Sequence, residues 1–569
     1  MPTTAFLNSS KRIAQDFLNS VVAVDDNLFF ERTSADALDN SDDGFDDAIE
    51  DDSGLGQMAN SVNSPEQSLS IPGNHPLDYQ ELSLSFSEFG INCCAFRPDI
   101  ERFGSITAAA EQIMKSAKRA DITILDWSMD HKYGFPAGTL AKNSIERILQ
   151  DDRELNGRLR LIIIYTGEPI LQEIAQEVHD SIVSIDNAAL IQDRTICFQK
   201  RDLEFCRITV IDKKDNADEL RDEAISLFTD LTAGLLSNAT LSAIGELRDK
   251  THHILHTFNK QLDPAYLAHV IGLLSSPQVR EKSYEIAFDY ATDLISEEIK
   301  SNLQISGHIK ENLCLDRLHD WVEYTNSGQQ ADYYEIGIGN AQPTGVGSAR
   351  IKDLLNYVSE AQLVTTLSSS PQIVRGGTST KILETFSKQK IHLKLKGNGY
   401  LSHEALSAVE CKRRDLMSLR AGTPLPTVKQ GTIVKKDDTY YICMQPLCDS
   451  VRIEHCTNFI FLRISVVEDG KNFTHVLKNS QGDFIKFNIK PGSKDIYIFN
   501  LKPDTVTNTV KAVNDGDDYK IIYKINDAQE DSLIWFGELK ANVAQAIANK
   551  LAEQISRVGL DTNEWLRRH

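Results

Sequence analysis

Between Arg32 and Arg97 the chain has no lysine or arginine, yet that gap holds thirteen aspartates and glutamates. The segment 31–75 is also poor in large apolar groups. It cannot bury enough surface to offset the entropy of ordering, so it is expected to be a disordered acidic insert. Long apolar runs are missing everywhere. No stretch reaches the roughly 18 consecutive apolar residues a membrane span requires, and the opening MPTTAFLNSSKRIAQDF lacks a secretory signal's apolar core. Cysteine is sparse, nine in 569 residues, which excludes a disulfide scaffold. The expectation is a soluble, cytoplasmic protein with reduced thiols and no membrane partner.

What is present is ordinary globular composition, 41% hydrophobic and 25% charged, in a length sufficient for several cores. The net charge of −22 is uneven, because residues 380–500 hold 19 lysines and arginines against 12 acidic residues. Short apolar runs at 20–24, 91–96, 121–127, 158–167 and 194–200 alternate with helical patterns at 76–90, 105–120, 139–150, 169–184 and 215–236. Alternating strands and helices predict a parallel sheet covered on both faces. Residues 237–326 are helical. Residues 327–430 mix a Gly-rich irregular stretch, helices and a linker, with 402–420 read as a basic helix. Residues 431–569 have short strands punctuated by Gly, Asn and Asp, then a terminal helix. The expected architecture is multidomain. A five-stranded α/β domain spans 1–236, followed by the helical region, the mixed region and a mostly β barrel or sandwich.

The residues with chemical promise end strands of the first sheet. Asp25 and Asp26 follow the first strand, Asp126 ends the third, Thr166 the fourth and Lys200 the fifth. In an open parallel sheet such ends converge on the carboxyl edge, where ligands bind. Carboxylates gathered there require a hard cation, and oxygen ligation suits Mg²⁺. A carboxylate is also a competent phosphoryl acceptor. Each residue alone reads more simply as a helix cap or a satisfied polar group, and it is all five at one sheet edge that favour a phosphorylation pocket.

The pieces VAVDDN (22–27), ITILDWSMD (122–130), LIIIYTGE (161–168) and ICFQK (196–200) together resemble the response-regulator receiver domain, over about residues 18–236. The resemblance implies a flavodoxin-like fold, with Asp126 as phosphoacceptor. Asp25, Asp26, Asp126 and the Ser128 carbonyl would hold Mg²⁺, Thr166 would be the switch hydroxyl, and Lys200 would pair with the phosphoryl group. It implies a histidine-kinase-like phosphodonor and enzyme activity no greater than self-phosphorylation and self-dephosphorylation. Its setting would be bacterial two-component signalling, with phage defence as a further suggestion that no residue carries. Arg201 stands where receivers usually have proline, Cys197 where they often have an aromatic residue, and Asp130 where proline is usual. With the insert, these make the receiver atypical and enlarged.

Two other readings rest on other features. Cys197 and Arg201 motivate a non-enzymatic scaffold whose degenerate receiver leaves the β region to bind a protein effector. Lys412, Arg413 and Arg414 permit a nucleic-acid effector, although they read more simply as a solvated basic helix or one docked on an acidic surface. His252 and His256, four apart on a helix that also carries His253, share a face that could hold a metal but have no third ligand nearby, while the glycines at 337, 339, 345 and 347, the segment GGTSTK (376–381), and Cys443, Cys448, His455 and Cys456 lack the spacing of nucleotide or zinc motifs.

Overall fold

A computed structural model describes residues 5–28, 77–129, 133–200, 202–214, 216–277, 280, 283–326, 333–338, 344–356, 359–362, 391–396, 402–419, 424–468, 473–516, 518–526 and 528–556. The expected disordered insert, Asp130, Arg201 and the segment GGTSTK lie outside them. The chain divides into two units, Leu7–Asp249 and Lys250 onward.

The first unit runs α1 (Ala5–Phe17), β1 (Ser20–Val24), α2 (Tyr79–Ser87), β2 (Asn92–Phe96), α3 (Ile100–Phe103), α4 (Ile106–Ala117), β3 (Ile122–Asp126), α5 (Thr139–Glu154) and β4 (Arg160–Thr166). It continues with α6 (Leu171–Ile182), β5 (Leu190–Gln192), β6 (Thr195–Cys197), β7 (Cys206–Asp212), α7 (Ala217–Thr232) and α8 (Leu235–Asp249). Local chemistry starts several of the helices. Asp78 accepts from the Gln80 and Glu81 amides, Ser105 from Ala108 and Asn216 from Glu219. Helix α8 closes on this unit, where Asn238 donates to Ser10 and Arg248 donates to the Phe17 carbonyl and to Asp121.

The sheet order is β2-β1-β3-β4-β7-β6-β5. The first five strands in this order pair in parallel, whereas β6 pairs antiparallel with both β7 and β5. The sheet is therefore seven-stranded and mixed, not a sheet of five parallel strands. The expected last strand, 194–200, supplies the antiparallel β6. Asp193 and Arg194, with φ of 45° and 65°, form a two-residue turn between β5 and β6. A turn that short can only send the chain back antiparallel. The strand beside β4 is instead β7, CRITVID, rich in β-branched residues and buried along most of its length.

Side-chain alternation splits the apolar residues between two cores, one on each face. Val22, Val24, Leu125, Ile162, Ile164, Ile208 and Val210 pack on one face under α4, α5 and α6. Val21, Ala23, Ile122, Ile124, Ile163, Tyr165 and Ile211 pack on the other under α1, α2 and α7. At the amino end of β4, buried Arg160 forms a two-pronged pair with Asp152 (2.9 and 2.7 Å) and donates to the Ala117 carbonyl at 2.6 Å.

The second unit begins with helices α9 (Thr251–Thr257), α10 (Asp263–Ser275), α11 (Ser283–Gln304), α12 (Gly307–Glu311) and α13 (Leu315–Thr325). Within the Gly-rich stretch read as irregular, β8 (Tyr334–Ile338) and β9 (Thr344–Val346) pair antiparallel, with α14 (Ser348–Leu355) following and β10 (Ile391–Leu395) completing a three-stranded sheet. The segment read as one basic helix is divided. Helix α15 (Ser402–Cys411) stops, and β11 (Lys412–Asp415) pairs with a later strand.

That later strand belongs to the β-rich part: β12 (Thr432–Lys436), β13 (Thr439–Cys443), β14 (Thr457–Val466), β15 (His475–Lys478), β16 (Phe484–Asn488), β17 (Ile496–Leu501), β18 (Val513–Asp515), β19 (Asp518–Asn526) and β20 (Gln529–Leu539), followed by α16 (Ala541–Ser556). Strands β20, β12, β13, β14, β17 and β19 pair in succession, and β19 pairs back to β20, so the sheet closes as a barrel. Closure leaves these strands no open edge. The interior holds Phe459, Phe461, Phe499, Leu533 and Trp535.

Candidate functional site

Strand register brings the candidate residues to one rim. Val24 of β1 pairs with Leu125 of β3, so the next residues, Asp25 and Asp126, leave the sheet side by side. Both share the side-chain parity of Ile122, Ile124 and Ala23, and so project on the α1/α2/α7 face. Asp126 pairs with Tyr165 of β4, which pairs with Ile211 of β7. Two residues beyond Ile211, on the same parity, stands Lys213.

Lys213 is the cation of the site. Its Nζ lies 2.9 Å from Asp126 Oδ1 and 3.1 Å from Asp25 Oδ2, and its side chain is 9% exposed. Lys200, which the sequence reading places here, is elsewhere. Its Nζ donates to the Ile185 carbonyl, and its backbone N–H donates to buried Asp186 at 2.9 Å. The shift follows from the strand assignment, because β7 and not β6 lies beside β4. The signal for Lys213 was in the sequence, since a β-branched run ends in Asp212-Lys213-Lys214.

The remaining carboxylate contacts are made by backbone amides. Ser128 N–H donates to Asp126 Oδ2 at 2.8 Å, and Asn27 N–H donates to Asp25 Oδ1 at 2.7 Å. Asp25, Asp26 and Asp126 each offer an oxygen, all within 4.8 Å of one another. Thr166 is buried at the end of β4, where its Oγ1 accepts from the Glu168 amide at 3.1 Å. The structure thus gathers Asp25, Asp26 and Asp126, places Ser128 against them and ends the neighbouring strand on Thr166.

The electrostatics follow from burial. Desolvation pushes the Asp126 carboxyl from 3.8 up to about 6, with Lys213 pulling it down and Asp25 adding to the rise. Burial pulls the Lys213 ammonium down, but Asp126 and Asp25 more than offset this and hold its pKa above the usual lysine value. Among the described residues, three carboxylates against one ammonium leave the rim negative. All-oxygen donors at a half-open sheet edge fit a hard divalent ion such as Mg²⁺, which takes one or two carboxylates and retains waters.

The other sequence candidates do not form comparable sites. Lys412, Arg413 and Arg414 lie on β11, with Arg414 Nη2 2.7 Å from buried Glu538 and Lys412 Nζ 3.2 Å from Asp415. These cations therefore face internal carboxylates instead of forming an open basic helix. The histidines of α9 lie on a helix with no buried residue. Cys443 is buried, and desolvation raises its thiol to about 12, whereas Cys448 is exposed. Among the described residues no helix is long and apolar enough to cross a membrane.

No curated protein and no solved structure matches the chain. Residues 17–218 match the family model of the response receiver domain, a family whose members generally accept phosphoryl groups from histidine kinases and bind Mg²⁺ at an acidic site. Asp25, Asp26, Asp126, Thr166 and Lys213 all fall within the matched stretch, so the candidate site lies in the part of the chain that is similar to response receiver domains.

Proposed function

We propose that the first unit is a phosphorylation-controlled switch in which Asp126 takes a phosphoryl group from a histidine-kinase-like protein. The observation that carries this reading is the convergence of Asp25, Asp26 and Asp126 within 4.8 Å, with Lys213 bridging two of them. The order of the five parallel strands supports a flavodoxin-like arrangement, whose ligand site is this same edge.

Asp126 attacks phosphorus through a carboxylate oxygen. The phosphorus–nitrogen bond of the donor histidine breaks as the oxygen–phosphorus bond forms, and the imidazole leaves with a proton from solvent. Asp25, Asp26 and Asp126, with the Ser128 carbonyl, would hold Mg²⁺, which would supply positive charge to the transferring oxygens. Lys213, freed from Asp126, pairs with one of those oxygens. Thr166 turns its hydroxyl toward another, releasing the Glu168 amide. The group adds charge and strong acceptors at a rim that was already negative, and this biases the surrounding loops between two arrangements. A bacterial phage-defence setting belongs to the same proposal, and sensitivity of a deletion strain to phage tests it.

The direct test is phosphoryl uptake by the full chain from phosphoramidate and Mg²⁺, followed by intact-mass spectrometry. Wild type gains one phosphoryl group and Asp126→Asn gains none. Equal uptake by both proteins would remove Asp126 from its role.

A further inference from the structure

We infer that Tyr165 is a positioning residue for Lys213, using its phenol hydroxyl to fix the backbone from which the lysine reaches Asp25 and Asp126. This inference rests on the proposed phosphoryl chemistry for its consequence, but its geometry stands apart from it. Strand β7 ends at Asp212, and the following amides have no guaranteed ladder partner. Lys213 N–H is still held, donating to the Thr166 carbonyl at 2.8 Å. The next amide, that of Lys214, has left the ladder and donates instead to Tyr165 Oη at 2.8 Å.

One tyrosine therefore acts on the lysine twice. Its hydroxyl fixes the peptide just after Lys213, and its ring lies 5.8 Å from Lys213 Nζ, within cation–π range. Tyr165 is 4% exposed and packed in the core on the α1/α2/α7 face, so its hydroxyl is not free to wander. Lys214 is braced from the other side as well, with Nζ 2.7 Å from Glu223 of α7 and 3.2 Å from Asp212. The two amides and the ring define the direction in which Lys213 leaves the backbone. A lysine stem is otherwise floppy, and a point charge aimed at a transferring group is useful only where it is held in place.

The test compares wild type, Tyr165→Phe and Tyr165→Leu in the full chain. Phenylalanine keeps the ring and removes only the hydroxyl, whereas leucine removes both. Three quantities are measured: the maximal rate of phosphoryl uptake from saturating phosphoramidate, the Mg²⁺ dissociation constant by calorimetry, and the labelling rate of Lys213 by an amine-reactive reagent, read by peptide mass spectrometry. The expected result for Tyr165→Phe is a roughly tenfold slower maximal rate and at least threefold faster Lys213 labelling, with Mg²⁺ affinity unchanged. Tyr165→Leu shows larger effects of the same sign. Unchanged Lys213 labelling in Tyr165→Phe overturns the inference, as does a rate loss matched by an equal loss of Mg²⁺ affinity, the mark of general loosening. If wild type takes up no phosphoryl group but Lys213 labelling rises in Tyr165→Phe, the phosphorylation reading fails and the positioning of Lys213 by Tyr165 stands.

Discussion

Replacing Lys213 by methionine keeps the length and apolar stem of the side chain but removes the charge between Asp25 and Asp126. Removing one partner of a buried ion pair generally costs about 3–5 kcal/mol, because the remaining charge is uncompensated. Here the cost has a ceiling. Asp126 can escape by taking up a proton, and with its folded-state pKa already at about 6 that uptake costs only about 1.4 kcal/mol at pH 7. The expected loss is therefore about 1–2 kcal/mol at pH 7 without Mg²⁺. It shrinks by up to about 1.4 kcal/mol for each pH unit below that, as the escape becomes easier. Lys200→Met removes a donor from the Ile185 carbonyl and should cost about 1 kcal/mol, a loss that does not shrink between pH 7 and pH 5. Denaturant-dependent hydrogen exchange of peptides covering β3 and β7 measures both variants in the unit that carries them. Equal, pH-independent losses would refute the assignment of Lys213 as the buried counter-ion of this rim.

Two further outcomes follow from the same geometry. Burial raises the folded-state pKa of Asp126 to about 6 from 3.8, so the native protein holds this proton more tightly than the unfolded chain. Its contribution to stability falls as pH rises through that window, by about 3 kcal/mol in total, and Asp126→Asn should gain on wild type by that amount between pH 4 and pH 7 in urea titrations without Mg²⁺. A flat difference between the two proteins would contradict the buried-carboxylate account. Gly138, the residue before α5, has φ of 80°, and a Cβ there would meet the Trp127 ring at 2.2 Å. Gly138→Ala should cost about 3 kcal/mol from overpacking and left-handed strain and should slow phosphoryl uptake through the displaced Trp127, next to Asp126; wild-type uptake in a variant of lowered melting temperature would confine the effect to stability.

Much of the first sheet was legible because its strands are fully covered. SVVAV, ITILD and RLIIIYT are apolar on both parities, and each ends in, or is followed at once by, a polar residue at the sheet edge. Asp25, Asp126 and Thr166 could be placed from that alone. The last strand was not legible in the same way. Both TICFQK and CRITVIDKK combine β-formers with a lysine, and a short apolar run does not state which neighbour it pairs with or in which direction. The deciding features were a two-residue turn at Asp193 and Arg194 and the greater burial of β7, neither of which periodicity displays. The basic run at 412–414 failed for a related reason. Its composition suits a helix, but it pairs with β20, where Glu538 neutralises Arg414.

The hairpin of β5 and β6 changes what kind of strand carries the lysine. Laced to β4 along one side and to β6 along the other, β7 is an interior strand and cannot peel from the sheet as a border strand can. A visiting peptide that extends this border would meet three-residue β5, two strands away from the one that carries Lys213. The way out from the rim that the structure ties down is α7, which Lys214 and Glu223 fasten directly to the turn behind Lys213.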